Sequence, residues 1–159
     1  MTLRRCFFTL ALFGVASCDP PPAVDIRFEL QADPNVCDLV GDIQSVRVML
    51  IGGRSGVACI ESSQCIELDS PVNAIHDVQA RIGGVSFDVV AARGYQLEVS
   101  GYAMAGCSLG ASLDNFLFCG RSNRVRFDEA GTGPISVPAT CALDALDCRS
   151  ASVSLGLCL

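Results

Sequence analysis

Apolar and polar residues alternate along much of this chain, and the alternation predicts short β-strands. In residues 24–31 four apolar positions alternate with four polar ones. Because successive strand side chains point to opposite faces, such a segment predicts a half-buried strand. Comparable segments or short apolar runs lie at residues 43–51, 57–60, 66–68, 85–89, 95–99, 116–118, 125–127, 135–137 and 153–157.

The spacing of these segments predicts the fold class. Short strands separated by Gly, Pro and Asn turn signals are typical of antiparallel sandwiches or barrels. A parallel sheet is not expected, because the predicted strands do not alternate with helices. One helix is expected over Pro71–Ile82, since Ser70 can cap it and Gly83 can end it. An irregular strand is the alternative there. We therefore predict a mainly β domain with one short helix.

The amino terminus has the layout of an export signal. Arg4 and Arg5 precede an apolar segment, residues 6–17, that is too short to span a bilayer. Its end, Val15-Ala16-Ser17-Cys18, resembles the lipobox of bacterial lipoproteins. That resemblance implies cleavage before Cys18 and acylation of its side chain. An ordinary cleaved signal, which needs no cysteine, is the alternative.

This assignment divides the chain into a signal peptide (residues 1–17), a lipidated, proline-rich tether (18–23) and a single domain (24–159). The domain would face the periplasm or the cell exterior, held at the cell envelope by its lipid. The outer membrane is the expected location. Asp19 resembles an inner-membrane retention signal, which leaves the inner membrane as the alternative. Expected partners are the membrane, through the anchor, and an envelope protein.

Cysteine usage agrees with export. Of 10 cysteines, Cys6 would leave with the signal and Cys18 would carry lipid. The remaining cysteines are disulfide candidates: Cys37, Cys59, Cys65, Cys107, Cys119, Cys141, Cys148 and Cys158. An even number in an oxidising compartment predicts disulfides. Proximity favours Cys59–Cys65, Cys107–Cys119 and Cys141–Cys148, which leaves Cys37–Cys158.

Composition excludes several classes of function. The formal net charge is −6 and lysine is absent, so a nucleic-acid partner is not expected. Schiff-base chemistry and a phosphate-loop lysine are excluded. With a single histidine and no Cys-x-x-Cys spacing, neither a metal site nor a cofactor is expected.

Candidate catalytic groups are few. Residues 106–110 match the Gly-x-Ser-x-Gly pattern of hydrolases around Ser108, but the histidine, His76, precedes the serine instead of following it. His76 and Asp77 are adjacent and point in different directions on a helix, which favours a solvated histidine. Asp144 and Asp147 could contribute to a weak calcium site, and an acidic surface loop is the simpler interpretation. Arg121, Arg124 and Arg126 are interpreted as a solvated face.

Two segments resemble known proteins. Residues 85–88 and 94–102 look like paired strands of an immunoglobulin-like or transthyretin-like antiparallel β-sandwich, although the tryptophan of antibody domains is absent. Cys107 and the segment Leu117–Arg121 are similar to cysteine-rich lipoproteins of myxobacteria and their relatives. The resemblance implies a disulfide-stapled sandwich on a lipid anchor.

These observations predict a membrane-anchored lipoprotein with a non-enzymatic binding or structural role. An anchored hydrolase that uses Ser108 is one alternative. A carbohydrate or small-ligand binding module is another, although sugar-binding faces usually expose aromatic side chains.

Overall fold

A computed structural model describes residues 23–32, 39, 41–54, 57–89, 93–107, 115–127, 133–141 and 155–158. Within these residues the protein is mainly β, with two mostly antiparallel sheets and one short helix. The predicted fold class is therefore confirmed. The strands are β1 (Ala23–Ile26), β2 (Phe28–Ala32), β3 (Ile43–Arg54), β4 (Val57–Val72), β5 (Val85–Asp88), β6 (Gly94–Tyr102), β7 (Phe116–Arg121), β8 (Val125–Arg126) and β9 (Ile135–Cys141), and the helix is α1 (Ile75–Ile82).

The two sheets are unequal in size. The larger one has 7 strands in the order β2-β9-β7-β6-β3-β4, with β8 also paired to β6. The smaller one consists of β1 and β5 alone. All the strand pairs are antiparallel except β2 and β9, which run parallel. The sequence did not predict this parallel pair, because it joins elements that are far apart in the chain.

The first predicted strand, residues 24–31, is in fact two strands. The chain leaves the small sheet after Ile26, and Phe28 begins the edge strand of the large sheet. Both side chains are buried, whereas Arg27 between them is exposed. The alternation continues across the junction, so hydrophobic periodicity could not reveal the change of sheet.

Strand β4 differs most from prediction. The sequence predicts two short strands and the start of a helix in this segment. The structure has one strand of 16 residues instead, which pairs with β3 from Val57 to Val72. Pro71 is tolerated because β4 is an edge strand and needs no donor on its outer side. Helix α1 therefore starts at Ile75, not at Pro71, and Ser70 does not cap it. The predicted end is correct, since Gly83 follows with a φ of 67°.

The main core lies on one face of the large sheet. Helix α1 contacts both β2 and β4, the two edge strands, so the sheet curves around the core. The small sheet adds side chains to the same cluster. Its buried members include Ile26, Phe28, Val46, Val48, Leu50, Val78, Phe87, Leu97, Val99, Phe118 and Val137.

Gln79 of α1 closes one edge of the large sheet. Its Oε1 accepts a hydrogen bond from the Leu30 backbone N–H at 3.1 Å. Its Nε2 donates to the carbonyl oxygen of Phe28. The amide therefore replaces a neighbouring strand along β2, which protects that edge from pairing with other chains.

A glycine at position 101 is required by the packing of β6 against β7. A Cβ added there would lie 2.0 Å from Cε1 of Phe118, a fully buried ring. We predict that Gly101→Ala lowers the free energy of unfolding by about 2 kcal/mol, since the ring and its strand must shift. Urea unfolding of the oxidised protein measures the change.

Gly133→Ala is the matched control, since a Cβ at that exposed position meets nothing within 4 Å. Equal stability of the two variants would contradict the packing described for Gly101.

Candidate functional site

The second face of the large sheet carries polar side chains that are nevertheless buried, beside apolar ones such as Met49 and Cys119. Its register places Arg47 beside Ser100, Met49 beside Glu98 and Ser45 beside Tyr102. Arg47 is 7% exposed, and Ser45, Glu98 and Ser100 are 0% exposed. The alternation in residues 95–99 predicts a half-buried strand, whereas Glu98 is buried as well. We call the following residues the polar-face cluster: Ser45, Arg47, Glu98, Ser100, Tyr102 and Arg121.

Glu98 is held in an ion pair across strands β6 and β7. Arg121 Nε donates to Glu98 Oε2 at 3.0 Å, and Arg121 Nη2 contacts the same oxygen. The Arg121 side chain is only 28% exposed, so its interpretation as part of a solvated face is wrong. Arg124 and Arg126 are exposed as expected. The pairing explains how a carboxylate is tolerated here, since a buried charge without a partner is costly.

Arg47 is the second cation of the cluster. Its Nε donates to Ser63 Oγ at 2.9 Å, and its buried Nη1 has no hydrogen-bond partner within the part of the chain that the structure describes. The guanidinium lies close to the Tyr102 phenol. Burial raises the pKa of Tyr102, and the charge of Arg47 partly opposes that shift.

A turn at residues 103–107 lies over this end of the polar face. Ser45 Oγ donates to the Met104 carbonyl oxygen at 2.6 Å and accepts from the Cys107 N–H at 3.2 Å. Gly106 and Cys107 both have positive φ, 83° and 41°. A non-glycine residue with positive φ is uncommon and persists where its surroundings hold it. Here Cys107 is held by Ser45 and by a disulfide to Cys65.

The disulfides correct the pairing predicted from proximity. Cys59 is bonded to Cys158 and Cys65 to Cys107, with separations of 99 and 42 residues. The predicted pairs Cys59–Cys65, Cys107–Cys119 and Cys37–Cys158 are therefore wrong. Cys59 and Cys65 lie on one extended strand, so their side chains cannot approach each other. Each therefore forms a bond with a cysteine of a distant segment. Cys119 and Cys141 are also disulfide-bonded, and Cys141–Cys148 stays a prediction.

The outer edge of β4 is occupied at one end. Ile60 N–H donates to the Gly156 carbonyl oxygen at 2.9 Å, and the Cys158 N–H donates to the Ile60 carbonyl oxygen at 2.9 Å. Residues 156–158 thus add a short parallel segment, which the Cys59–Cys158 disulfide fastens. Within the described residues, no strand pairs with this edge beyond Ile60.

Other candidates are placed as follows. His76 lies on the outer side of α1 with 83% of its side chain exposed, and its Nε2 is 3.3 Å from Asp77 Oδ1. The two side chains therefore meet, contrary to expectation. Several predicted residues lie outside the described part of the chain: Cys18, Cys37, Ser108, Asp144, Asp147 and Cys148.

Within the described residues, one group of potential metal ligands lies beside the Cys59–Cys158 disulfide. A carboxylate oxygen of Glu61 and the sulfurs of Cys59 and Cys158 lie within 4.8 Å of one another. Because the sulfurs are bonded to each other, they offer no thiolate to an ion. Glu61 Oε1 also lies 3.6 Å from Arg93 Nη1, so the guanidinium balances the charge of this carboxylate.

The described surface has no exposed aromatic side chain on which a ligand could stack. Two open clefts, of about 450 and 430 Å³, lie beside the ends of α1. All seven aromatic residues that follow residue 23 are buried: Phe28, Phe87, Tyr95, Tyr102, Phe116, Phe118 and Phe127. They cannot stack on a sugar at the surface.

Comparison with known proteins gives no family. No protein-family model matches the chain, and no curated protein gives a significant match. In the described part of the chain, no helix has the length and apolar character needed to cross a bilayer. The disulfides indicate a domain located outside the cytoplasm, where such bonds persist.

The ion pair of Glu98 predicts a large effect of one arginine. Arg121→Met removes the cation from a carboxylate that stays buried, so unfolding free energy should fall by about 3 kcal/mol. Chemical denaturation at neutral pH measures this loss. Arg124→Met, an exposed arginine in the same segment, should change stability by less than about 0.5 kcal/mol. Similar losses in both variants would contradict the assignment.

The environment of Tyr102 predicts a distinctive titration. Because its pKa in the folded state is raised, the folded protein holds this proton more tightly than the unfolded chain. The associated stabilisation is complete below the unfolded pKa and is lost as pH rises through the folded pKa. Arg47→Met should raise the pKa of Tyr102 further, since it removes the neighbouring cation.

Tyrosine absorbance near the phenolate band, recorded in a Tyr95→Phe background, isolates Tyr102 because the chain has only 2 tyrosines and no tryptophan. A fall in the pKa of Tyr102 in Arg47→Met would refute the assignment.

Proposed function

We propose that this chain is a lipid-anchored, non-enzymatic interaction module of the cell envelope, which binds a basic, extended segment of a partner protein along the open edge of β4. The single observation that carries the proposal is that edge. Unpaired backbone groups along an edge strand are a template for strand addition.

The outward-facing backbone groups can be assigned from the hydrogen bonds of Ile60. Since both of its backbone groups point away from β3, its pair with Ile51 is not hydrogen-bonded. After the irregularity at Leu50 and Ile51, alternation places the backbone groups of Ser63, Cys65 and Glu67 on the outer side. An incoming strand could therefore form hydrogen bonds with the backbone N–H and C=O groups of these three residues.

Charge favours a basic partner. The β4 sequence contains three carboxylates and no arginine. Glu61 lies near Arg93, whereas Glu67 and Asp69 are exposed. A second copy of β4 would bring like charges together across the edge, which is unfavourable. A partner segment with arginine or lysine would instead pair with these carboxylates.

The opposite edge of the sheet supports a specific role for β4. Gln79 covers β2 at Phe28 and Leu30, so strand addition is blocked there. Among the described residues, β4 beyond Ile60 is thus the edge that a partner strand could reach. Anchoring through Cys18, with residues 19–22 as a short tether, would keep the β4 edge close to a membrane surface, and several acyl chains would make attachment lasting.

A photocrosslinking amino acid at position 67, introduced in cells, tests the proposal. We predict one dominant protein adduct, mapped by mass spectrometry to a basic extended segment. Asp69→Arg should weaken the adduct severalfold. The matched control is the same amino acid at Ala80, which is exposed on α1 and should give no such adduct. Absence of the adduct at position 67, or the same adduct at both positions, would refute edge binding.

The anchor is tested separately by intact-mass analysis of the mature protein. A mass that begins at Cys18 with added acyl chains is expected, and Cys18→Ser should release the domain from membranes. An unmodified Cys18 would overturn the anchor. Turnover of ester substrates that is abolished by Ser108→Ala would overturn the non-enzymatic role in favour of a hydrolase.

A further inference from the structure

The two faces of β4 differ along the stretch of its edge beyond Ile60. At one end of this stretch the Cys158 N–H occupies the Ile60 carbonyl oxygen. At the other end Pro71 has no N–H to offer to a neighbouring strand. Between these ends, over residues 62–70, half-buried and exposed side chains alternate without interruption. A strand added here would therefore meet two different surfaces, one on each side of the sheet.

The half-buried side chains of this stretch continue the main core to the sheet edge. Ile66 and Leu68 pack against the core, yet each is only partly buried. On the same side α1 and β5 both contact β4, and Gln64 Nε2 donates a hydrogen bond to the Ser86 carbonyl oxygen of β5. Every second side chain of an added strand would lie beside this junction. Apolar side chains are favoured at these positions, since they would remove the remaining apolar surface from water.

The exposed side chains of the same stretch form an acidic surface. Ser63, Cys65, Glu67 and Asp69 are the exposed positions. Cys65 is bonded to Cys107, so a hydroxyl and two carboxylates are the polar groups that an added strand would meet on this side. Opposite charges on neighbouring strands attract each other, whereas like charges are unfavourable. Basic side chains are therefore favoured at the intervening positions of the added strand.

We propose that the segment bound at the β4 edge is amphipathic, with apolar side chains beside Ile66 and Leu68 and arginine or lysine side chains beside Glu67 and Asp69. Successive side chains of a strand point to opposite faces, so basic and apolar residues alternate along the bound part of the partner. This inference rests on the proposed function, because it describes the partner of the same edge. It adds a sequence pattern to the requirement for positive charge.

Two peptides of identical composition test the pattern. Thr-Arg-Val-Arg-Val-Arg-Val-Thr alternates, whereas Thr-Arg-Arg-Arg-Val-Val-Val-Thr has the same residues in blocks. Each is titrated at constant ionic strength into the full mature chain labelled with ¹⁵N. We expect the alternating peptide to cause saturable shifts of the amides of residues 62–70. It should bind roughly tenfold more tightly than the blocked peptide, which loses the burial of about one apolar side chain.

Two alanine variants locate the apolar contact. Ile66→Ala should weaken binding of the alternating peptide severalfold and should change binding of the blocked peptide little. Leu30→Ala is the matched control, since Leu30 is also partly buried against the core but lies on β2, the edge that Gln79 covers. This variant should lose stability and still bind the alternating peptide like the parent chain.

The outcomes separate this inference from the proposed function. Equal affinity of the two peptides, with shifts confined to residues 62–70, overturns the alternating pattern and leaves binding at the β4 edge standing. Equal weakening by Ile66→Ala and Leu30→Ala also overturns the pattern, because the apolar contact would then not lie at β4. Failure of both peptides to shift these amides contradicts the pattern and the edge site together. The peptide comparison on the parent chain decides the question even if Ile66→Ala fails to fold.

Discussion

Both disulfides whose two sulfurs lie in the described residues start from β4, and this constraint organises much of the structure. Cys59 and Cys65 lie on one edge strand and reach segments that are 99 and 42 residues away. In the chain-entropy view, loops of these lengths stabilise the folded state by about 5 and 4 kcal/mol. One bond fastens the C-terminal segment to β4, and the other fastens the turn at residues 103–107.

The second of these bonds explains how a polar face can be buried. Arg47, Glu98 and Ser100 would ordinarily face water on an antiparallel sheet with one apolar side. The turn fastened by Cys107 removes one end of that face from solvent, and Ser45 satisfies the backbone of the turn. The resulting interior is electrostatically demanding. Glu98 is balanced by Arg121, and Arg47 donates a hydrogen bond to Ser63 and lies against the Tyr102 phenol.

Local patterns in the sequence were sufficient for some elements and insufficient for others. The alternation around Leu97 and Val99 identified β6 correctly, because a period of two is a local property. It could not show that Glu98 is buried, since that depends on what covers the second face. Similarly, the end of α1 at Gly83 follows from local backbone preference. Helix α1 starts later than predicted, because the pairing of Val72 with Ile43 extends β4 past Ser70.

The partners in the disulfides were unpredictable for a related reason. Proximity in sequence favoured Cys59–Cys65, yet a strand that stays extended between them holds the two side chains apart. Only the register of β4 and the course of the chain after β6 determine that Cys65 meets Cys107. Arg47 and Glu98 were also missed as a site, although each interrupts an apolar strand, which is the signal that could have identified them.

Non-reducing peptide mapping tests the account most directly. Cleavage after Glu61 separates Cys59 from Cys65, cleavage at Asp114 separates Cys107 from Cys119, and tryptic cleavage after Arg149 separates Cys148 from Cys158, so each bond can be assigned. The account predicts that the peptide with Cys59 is linked to the C-terminal peptide with Cys158, and the peptide with Cys65 to that with Cys107. A direct link between the peptides of Cys59 and Cys65, or free thiols at these four positions, would contradict it.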